Sequence, residues 1–82
     1  MTEKIRLEVI NLCKTVFDDE EFNVALNHLQ QNEFHRLRLL IDEKCELLSI
    51  IADYTYDYAD TILLGHCQKL ESLVLDVIIT AH

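Results

Sequence analysis

An 82-residue chain with seven basic and fifteen acidic side chains has a net charge of −8 and lacks the basic surface that binds nucleic acid. Half of the residues are apolar and 27% are charged, the balance of a folded globular protein rather than a disordered one. With no proline and one glycine, little interrupts the chain, which favours helices joined by short turns. The sequence therefore predicts a single all-α domain over residues 1–82.

The sequence carries no sign of a membrane segment or of a disulfide framework. No stretch approaches the roughly 18 apolar residues that span a bilayer, and the charged N-terminus is unlike a signal peptide. Cys13, Cys45 and Cys67 are odd in number, far apart in sequence and set in apolar periodic segments. Three such cysteines favour a reducing compartment. We therefore expect a cytoplasmic protein that does not bind a membrane.

Apolar residues recur at spacings of three and four in successive segments, which is the period of an amphipathic helix. The predicted helices cover residues 3–17, 19–31, 33–52 and 57–80. Short polar breaks separate them, so neighbouring helices are expected to pack side by side. The predicted fold is a three- or four-helix bundle in which the last two segments form a long C-terminal hairpin.

The starts of the first two helices have recognisable capping residues. Thr2 is placed to cap the first helix. Asp18 and Glu21 have the spacing of a capping box, in which each side chain accepts a hydrogen bond from the other residue's backbone N–H. Phe17 and Phe22 lie at the two positions of a hydrophobic staple. These residues predict that a second helix begins directly after Asp18.

The passage over residues 53–60 has two interpretations. Its tyrosines, Tyr54, Tyr56 and Tyr58, alternate with the period of a strand, but a strand here would have no partner. Either the third helix continues through the passage, or a turn falls here and Asp57 caps the last helix. We favour the turn, because an unbroken helix to the end of the apolar pattern would be about 70 Å long.

The last segment has the densest apolar run of the chain. Its predicted buried seam consists of Ile62, His66, Leu70, Leu73, Val77 and Ile78. Leu75 and Ile79 fall outside this seam, so the helix is apolar around much of its circumference and has to be covered on more than one side. Gly65 has two interpretations: it permits a close helix contact, or it breaks the helix and leaves a separate docking helix after it.

Side chains with the spacing of a catalytic or metal site are not found. The histidines His28, His35, His66 and His82 include no pair four residues apart, and there is no Cys-x-x-Cys motif, so no metal or cofactor is expected. His66 and Cys67 are neighbours that point about 100° apart on a helix, and therefore do not form a nucleophilic pair. We interpret His66 as a core or interface histidine.

The C-terminal hairpin nevertheless has a family resemblance. The matching segments are Ile41-Asp42-Glu43-Lys44, Leu47-Leu48, Asp60-Thr61-Ile62 and His66-Cys67-Gln68-Lys69-Leu70-Glu71-Ser72-Leu73. Residues 41–74 thus resemble the short helical hairpin of the sporulation-regulating aspartyl-phosphate phosphatases, whose second helix bears a Ser-Gln-Glu-Leu-Asp signature. Gln68 and Leu70 match that signature, while Glu71 replaces its aspartate. The resemblance implies that Gln68 and Glu71 lie at a phosphoryl site, where they orient water or contact a response regulator.

The leading functional hypothesis is a small acidic regulatory or adaptor protein, not an enzyme, that binds a protein partner through its apolar C-terminal helix. A homodimer through the same helix is the simplest version. The candidate partner-binding residues are Asp53, Tyr54, Asp57, Tyr58, Asp60, His66, Leu75 and Ile79. Two alternatives remain: the phosphatase activity that the resemblance implies, and an inhibitor or immunity protein that neutralises a basic partner through its three aspartates in this set.

Overall fold

The chain folds into four helices in a computed structural model that describes residues 1–80. The helices are α1 (Glu3–Val16), α2 (Asp19–Gln30), α3 (Phe34–Thr55) and α4 (Tyr58–Thr80). Within these residues no strand is present. The predicted all-α bundle with a long C-terminal hairpin is confirmed, and every predicted helix end lies within three residues of the observed one.

Each predicted cap is formed. Thr2 Oγ1 accepts a hydrogen bond from the Ile5 N–H at 3.2 Å. Asp18 Oδ1 accepts from the Glu21 N–H at 2.8 Å, and Glu21 Oε1 accepts from the Asp18 N–H at 3.0 Å, which completes the capping box. Lys44 Nζ donates to the same Glu21 oxygen at 2.9 Å. Glu21 therefore helps to cap the start of α2 and also links this helix to α3.

The four helices form a ring in which each packs against two others. α1 contacts α2 and α4, and α3 contacts α2 and α4, with the α3–α4 pair sharing the most extensive contact. The core between them is entirely apolar. Its fully enclosed side chains are Val9, Leu29, Leu37, Ile41, Cys67, Leu70 and Val74. Among residues 1–80, no helix is both long and apolar enough to cross a membrane.

The α3–α4 hairpin extends well beyond the other two helices. Cys45 contacts Cys67 and Thr55 contacts Asp60, as expected for an antiparallel pair closed by a two-residue turn. α2 begins beside the middle of α3, where Glu21 meets Lys44. The rest of α3, about ten residues or 15 Å, therefore continues past the N-terminal end of α2.

No side chain between residues 49 and 66 is buried. α2 does not reach this level, and α1 reaches only its base, where His66 lines a groove with residues of α1. The last buried residue of α3 is Leu48, and the first of α4 is Cys67. We call residues 49–66 the distal arm. The remainder of the bundle, with all four helices, is the body.

The predicted buried seam of α4 is wrong at its first two positions. Ile62 is 45% exposed and His66 is also exposed, whereas Cys67 is fully buried. Both predicted residues lie on the distal arm, where α2 is absent and α1 forms only one wall of an open groove beside His66. In the body α4 turns Cys67 and Val74 toward the core, because α1 and α3 cover it from two sides.

Gly65 serves neither predicted role. α4 continues through it without a break, and a Cβ atom built there would meet no atom within 4 Å. We therefore expect Gly65→Ala to raise the free energy of unfolding by about 1 kcal/mol, since alanine restricts the unfolded chain and costs no contact. Urea unfolding of the two proteins measures this gain. Ser72→Ala, at another exposed position of α4, is the matched control and should gain less; a loss for Gly65→Ala would show that its surroundings are occupied.

Candidate functional site

The turn at the tip of the distal arm is built by side chains that close it locally. Thr55 Oγ1 lies 2.9 Å from Asp60 Oδ2 and accepts a hydrogen bond from the Asp57 N–H at 3.3 Å. Asp57 Oδ1 accepts from the Ala59 N–H at 3.0 Å, so the predicted turn and the predicted cap on the last helix are confirmed. Local hydrogen bonds therefore define the backbone of the tip and the positions from which neighbouring side chains extend.

Three tyrosines project from this tip with almost no cover. Tyr54, Tyr56 and Tyr58 are 87%, 89% and 78% exposed. Tyr56 also has a φ of 53°, a left-handed conformation that costs a side chain other than glycine about 1 kcal/mol. It ends α3 by donating its N–H to the Ala52 carbonyl at 3.1 Å, a position where glycine is the usual residue. A large aromatic side chain is thus held in solvent at a cost to folding.

An apolar stripe continues from the tyrosines toward the body. Leu47, Ile50 and Tyr54 follow one another at spacings of three and four, so they lie on one face of α3. All three are at least half exposed. On α4, Ile62 adds an exposed apolar side chain to the arm. Contiguous exposed apolar groups of this kind mark association surfaces.

The arm also carries negative charges that no lysine or arginine within it balances. Residues 49–66 contain no lysine or arginine but three carboxylates, those of Asp53, Asp57 and Asp60. Asp53 and Asp57 are exposed, whereas Asp60 is half-buried against Thr55. The tip therefore presents aromatic rings and carboxylates together, with no cation of its own nearby.

The predicted partner-binding residues do not form one site. Asp53, Tyr54, Asp57, Tyr58 and Asp60 are brought together at the tip of the arm. His66 lies at the base of the arm and lines an open groove of about 570 Å³ between α1 and α4. The remaining two, half-buried Leu75 and exposed Ile79, lie near the far end of α4. Tyr56 is not among the predicted partner-binding residues, and its exposure follows only from its place in the turn.

The residues of the phosphatase resemblance lie on the body, in acidic surroundings. Gln68 is exposed, and Glu71 faces Asp42 across the α3–α4 contact. A hydrogen bond with the Asp42 carboxyl raises the pKa of Glu71; burial and the Asp42 charge add to this, while Arg38 opposes it. A phosphoryl group would meet two carboxylates here, which disfavours its binding. The activity that the resemblance implies stays a prediction.

The Glu71–Asp42 pair makes stability depend on pH. Because the folded pKa of Glu71 is raised above its ordinary value near 4.5, the pair stabilises the fold in acid and loses that contribution as the pH rises through the folded pKa. Glu71→Gln keeps a hydrogen-bond donor and removes the repulsion. We expect it to gain about 0.5 kcal/mol at neutral pH and nothing below about pH 4, as measured by urea unfolding. An equal gain at both pH values would contradict the pairing.

Two of the cysteines meet, although they are distant in sequence. Cys45 Sγ lies 2.9 Å from Cys67 Sγ across α3 and α4. A signal was present in the sequence: Cys45 lies eleven residues before Tyr56 and Cys67 lies eleven after it, so a hairpin that turns at Tyr56 brings them level. Cys13 is buried on α1, and burial raises the pKa of its thiol to about 12.

Within residues 1–80, no group of three or more His, Cys, Asp or Glu side chains is arranged to hold a metal ion. His82 lies outside the described residues. Comparison of the chain with protein-family models, with curated proteins and with solved structures gives no match. The function therefore has to be argued from the exposed surfaces of the chain itself.

Proposed function

We propose that this chain is a small regulatory or adaptor protein that binds another protein through its distal arm, and that the partner presents a cationic surface. The observation that carries the proposal is the tip of the arm, where three almost fully exposed tyrosines stand beside aspartates with no cation of the chain near them. The proposed setting is the cytoplasm, because three free thiols suit a reducing compartment.

The chemistry of the tip favours arginine on the partner. A guanidinium stacks on a tyrosine ring and pairs with a carboxylate in the same contact, whereas an ammonium group offers no planar face. Asp53 and Asp57 are exposed and able to form such pairs. The stripe formed by Leu47 and Ile50 would supply the apolar part of the interface, where burial provides most of the affinity.

The same charges oppose self-association through the arm. Two copies would bring their carboxylates together without a neutralising lysine or arginine. A homodimer through the apolar C-terminal helix would also bury less apolar surface than predicted, because five residues of α4 are already buried by its packing against α1 and α3. A partner of opposite charge fits the surface better. An inhibitor that neutralises a basic protein would use this surface in the same way.

Affinity capture with charge-matched variants tests the proposal. Asp53→Asn/Asp57→Asn removes two charges from the arm and keeps the cap on α4, since asparagine caps as well as aspartate. Glu43→Gln/Asp76→Asn removes two charges from exposed positions on the body. From an extract of the native cell, we expect the wild type and the body variant to capture the same protein and the arm variant to lose it.

The captured protein, once purified, should bind the wild type more weakly as salt is raised, because exposed charges are screened. A protein that both variants retain equally would contradict the proposal. So would a chain that forms a stable dimer covering the arm, which light scattering would reveal.

A further inference from the structure

We propose that Cys45 and Cys67 form a reversible intramolecular disulfide that joins α3 to α4 at the base of the distal arm, with a low-molecular-weight disulfide such as oxidised glutathione as the oxidant. The two cysteines lie outside the proposed binding surface, so this modification site is independent of the partner of the arm.

The geometry places the two sulfur atoms for bond formation. They face each other at 2.9 Å, so an approach of about 0.9 Å reaches the length of a disulfide bond, about 2.05 Å. Cys67 Sγ also lies 3.7 Å from the Ile41 carbonyl oxygen, which holds the thiol on the side that faces α3. Since both cysteines lie inside long helices, the backbone of each is already fixed in this relation.

The two thiols differ in their exposure to solvent and in their pKa. These differences determine which thiol reacts first. Cys45 is half-buried and open to a small oxidant, whereas Cys67 is fully buried. Burial raises the pKa of both thiols, but the hydrogen bond between them lowers that of Cys45 and raises that of Cys67. Cys45 is therefore the attacking thiol, and Cys67 resolves the intermediate.

The exchange is balanced in two steps. The Cys45 thiolate attacks one sulfur of the small disulfide, forms a mixed disulfide and releases one small thiolate. The Cys67 thiolate then attacks Cys45 Sγ, forms the internal bond and releases the second thiolate. The protein loses two thiol protons and two electrons, and the oxidant becomes two small thiols. The raised pKa of both cysteines makes the exchange slow at neutral pH.

The experiment equilibrates the full chain in glutathione buffers of increasing oxidised fraction, blocks remaining thiols with iodoacetamide under denaturing conditions, and measures intact mass. We expect one blocked thiol, Cys13, in oxidising buffer and all three in reducing buffer. Proteolysis should then yield a peptide pair linked through Cys45 and Cys67. Because the bond closes a 23-residue segment, we expect Tm to rise by about 10 °C.

Two variants separate the proposal from adventitious oxidation. Cys13→Ala should behave as the wild type, with two thiols lost together. Cys67→Ser should stop at a mixed disulfide between Cys45 and glutathione. The proposal is overturned if wild-type Cys45 retains glutathione without forming the internal bond, if all three thiols stay reduced in every buffer, or if the linked peptides contain Cys13. Mapping of the wild type decides the matter even where a variant does not fold.

Discussion

Leu70→Ala is expected to lower the free energy of unfolding by about 3–4 kcal/mol, the largest loss from any single exchange considered for α4. Leu70 is fully buried and belongs to the apolar core cluster of the body. Truncating it removes the transfer free energy of the lost methyl groups and leaves a cavity that rigid neighbouring helices cannot fill. Urea unfolding measures the loss directly.

Ile62→Ala is the matched control, because Ile62 and Leu70 are both large apolar residues of the seam predicted for α4. Ile62 is 45% exposed on the distal arm, so its truncation should cost less than about 1 kcal/mol. Similar losses for the two variants would mean that the arm is covered as well as the body. That result would contradict the division of the hairpin into a body and an arm.

The second large effect concerns binding. We expect Tyr54→Ala/Tyr58→Ala to weaken affinity for the captured partner by about 100-fold, since aromatic anchors at an interface cost 1–2 kcal/mol or more each when truncated. Both side chains are more than three-quarters exposed, so the free energy of unfolding should change by less than about 0.5 kcal/mol. Titration calorimetry and urea unfolding give the two quantities.

Leu39→Ala/Ile79→Ala provides the control for this variant. These apolar side chains are 63% and 62% exposed and lie on the body, near the start of α3 and the end of α4. We expect their loss to leave affinity unchanged within about threefold. If this variant loses the partner while the tyrosine variant retains it, the interface lies on the body and the proposal is wrong.

Local features of this fold were predictable because they depend on near neighbours in sequence. The capping box of Asp18 and Glu21 and the cap at Asp57 follow from side chains that reach their own backbone within three residues. Helix bounds followed from the apolar period. The seam of α4 was predicted less well, since apolar spacing identifies a face but not whether another helix reaches that level.

The site was predictable only in part for the same reason. The tyrosines and aspartates of residues 53–60 were identifiable by composition, but their exposure results from α1 and α2 being shorter than α3 and α4. The contact of Cys45 with Cys67 requires the position of the turn, which two interpretations of this passage left open. The open surroundings of Gly65 likewise depend on how the helices pack, which the sequence around it does not specify.

Hydrogen–deuterium exchange of the chain, alone and with its captured partner, tests the central claim most directly. We expect the partner to slow exchange in peptides from residues 49–66, where no side chain is buried. Exchange in α1 and α2 should not change. Slowing confined to the groove between α1 and α4, or to the C-terminal end of α4, would contradict the account and place the interface on the body.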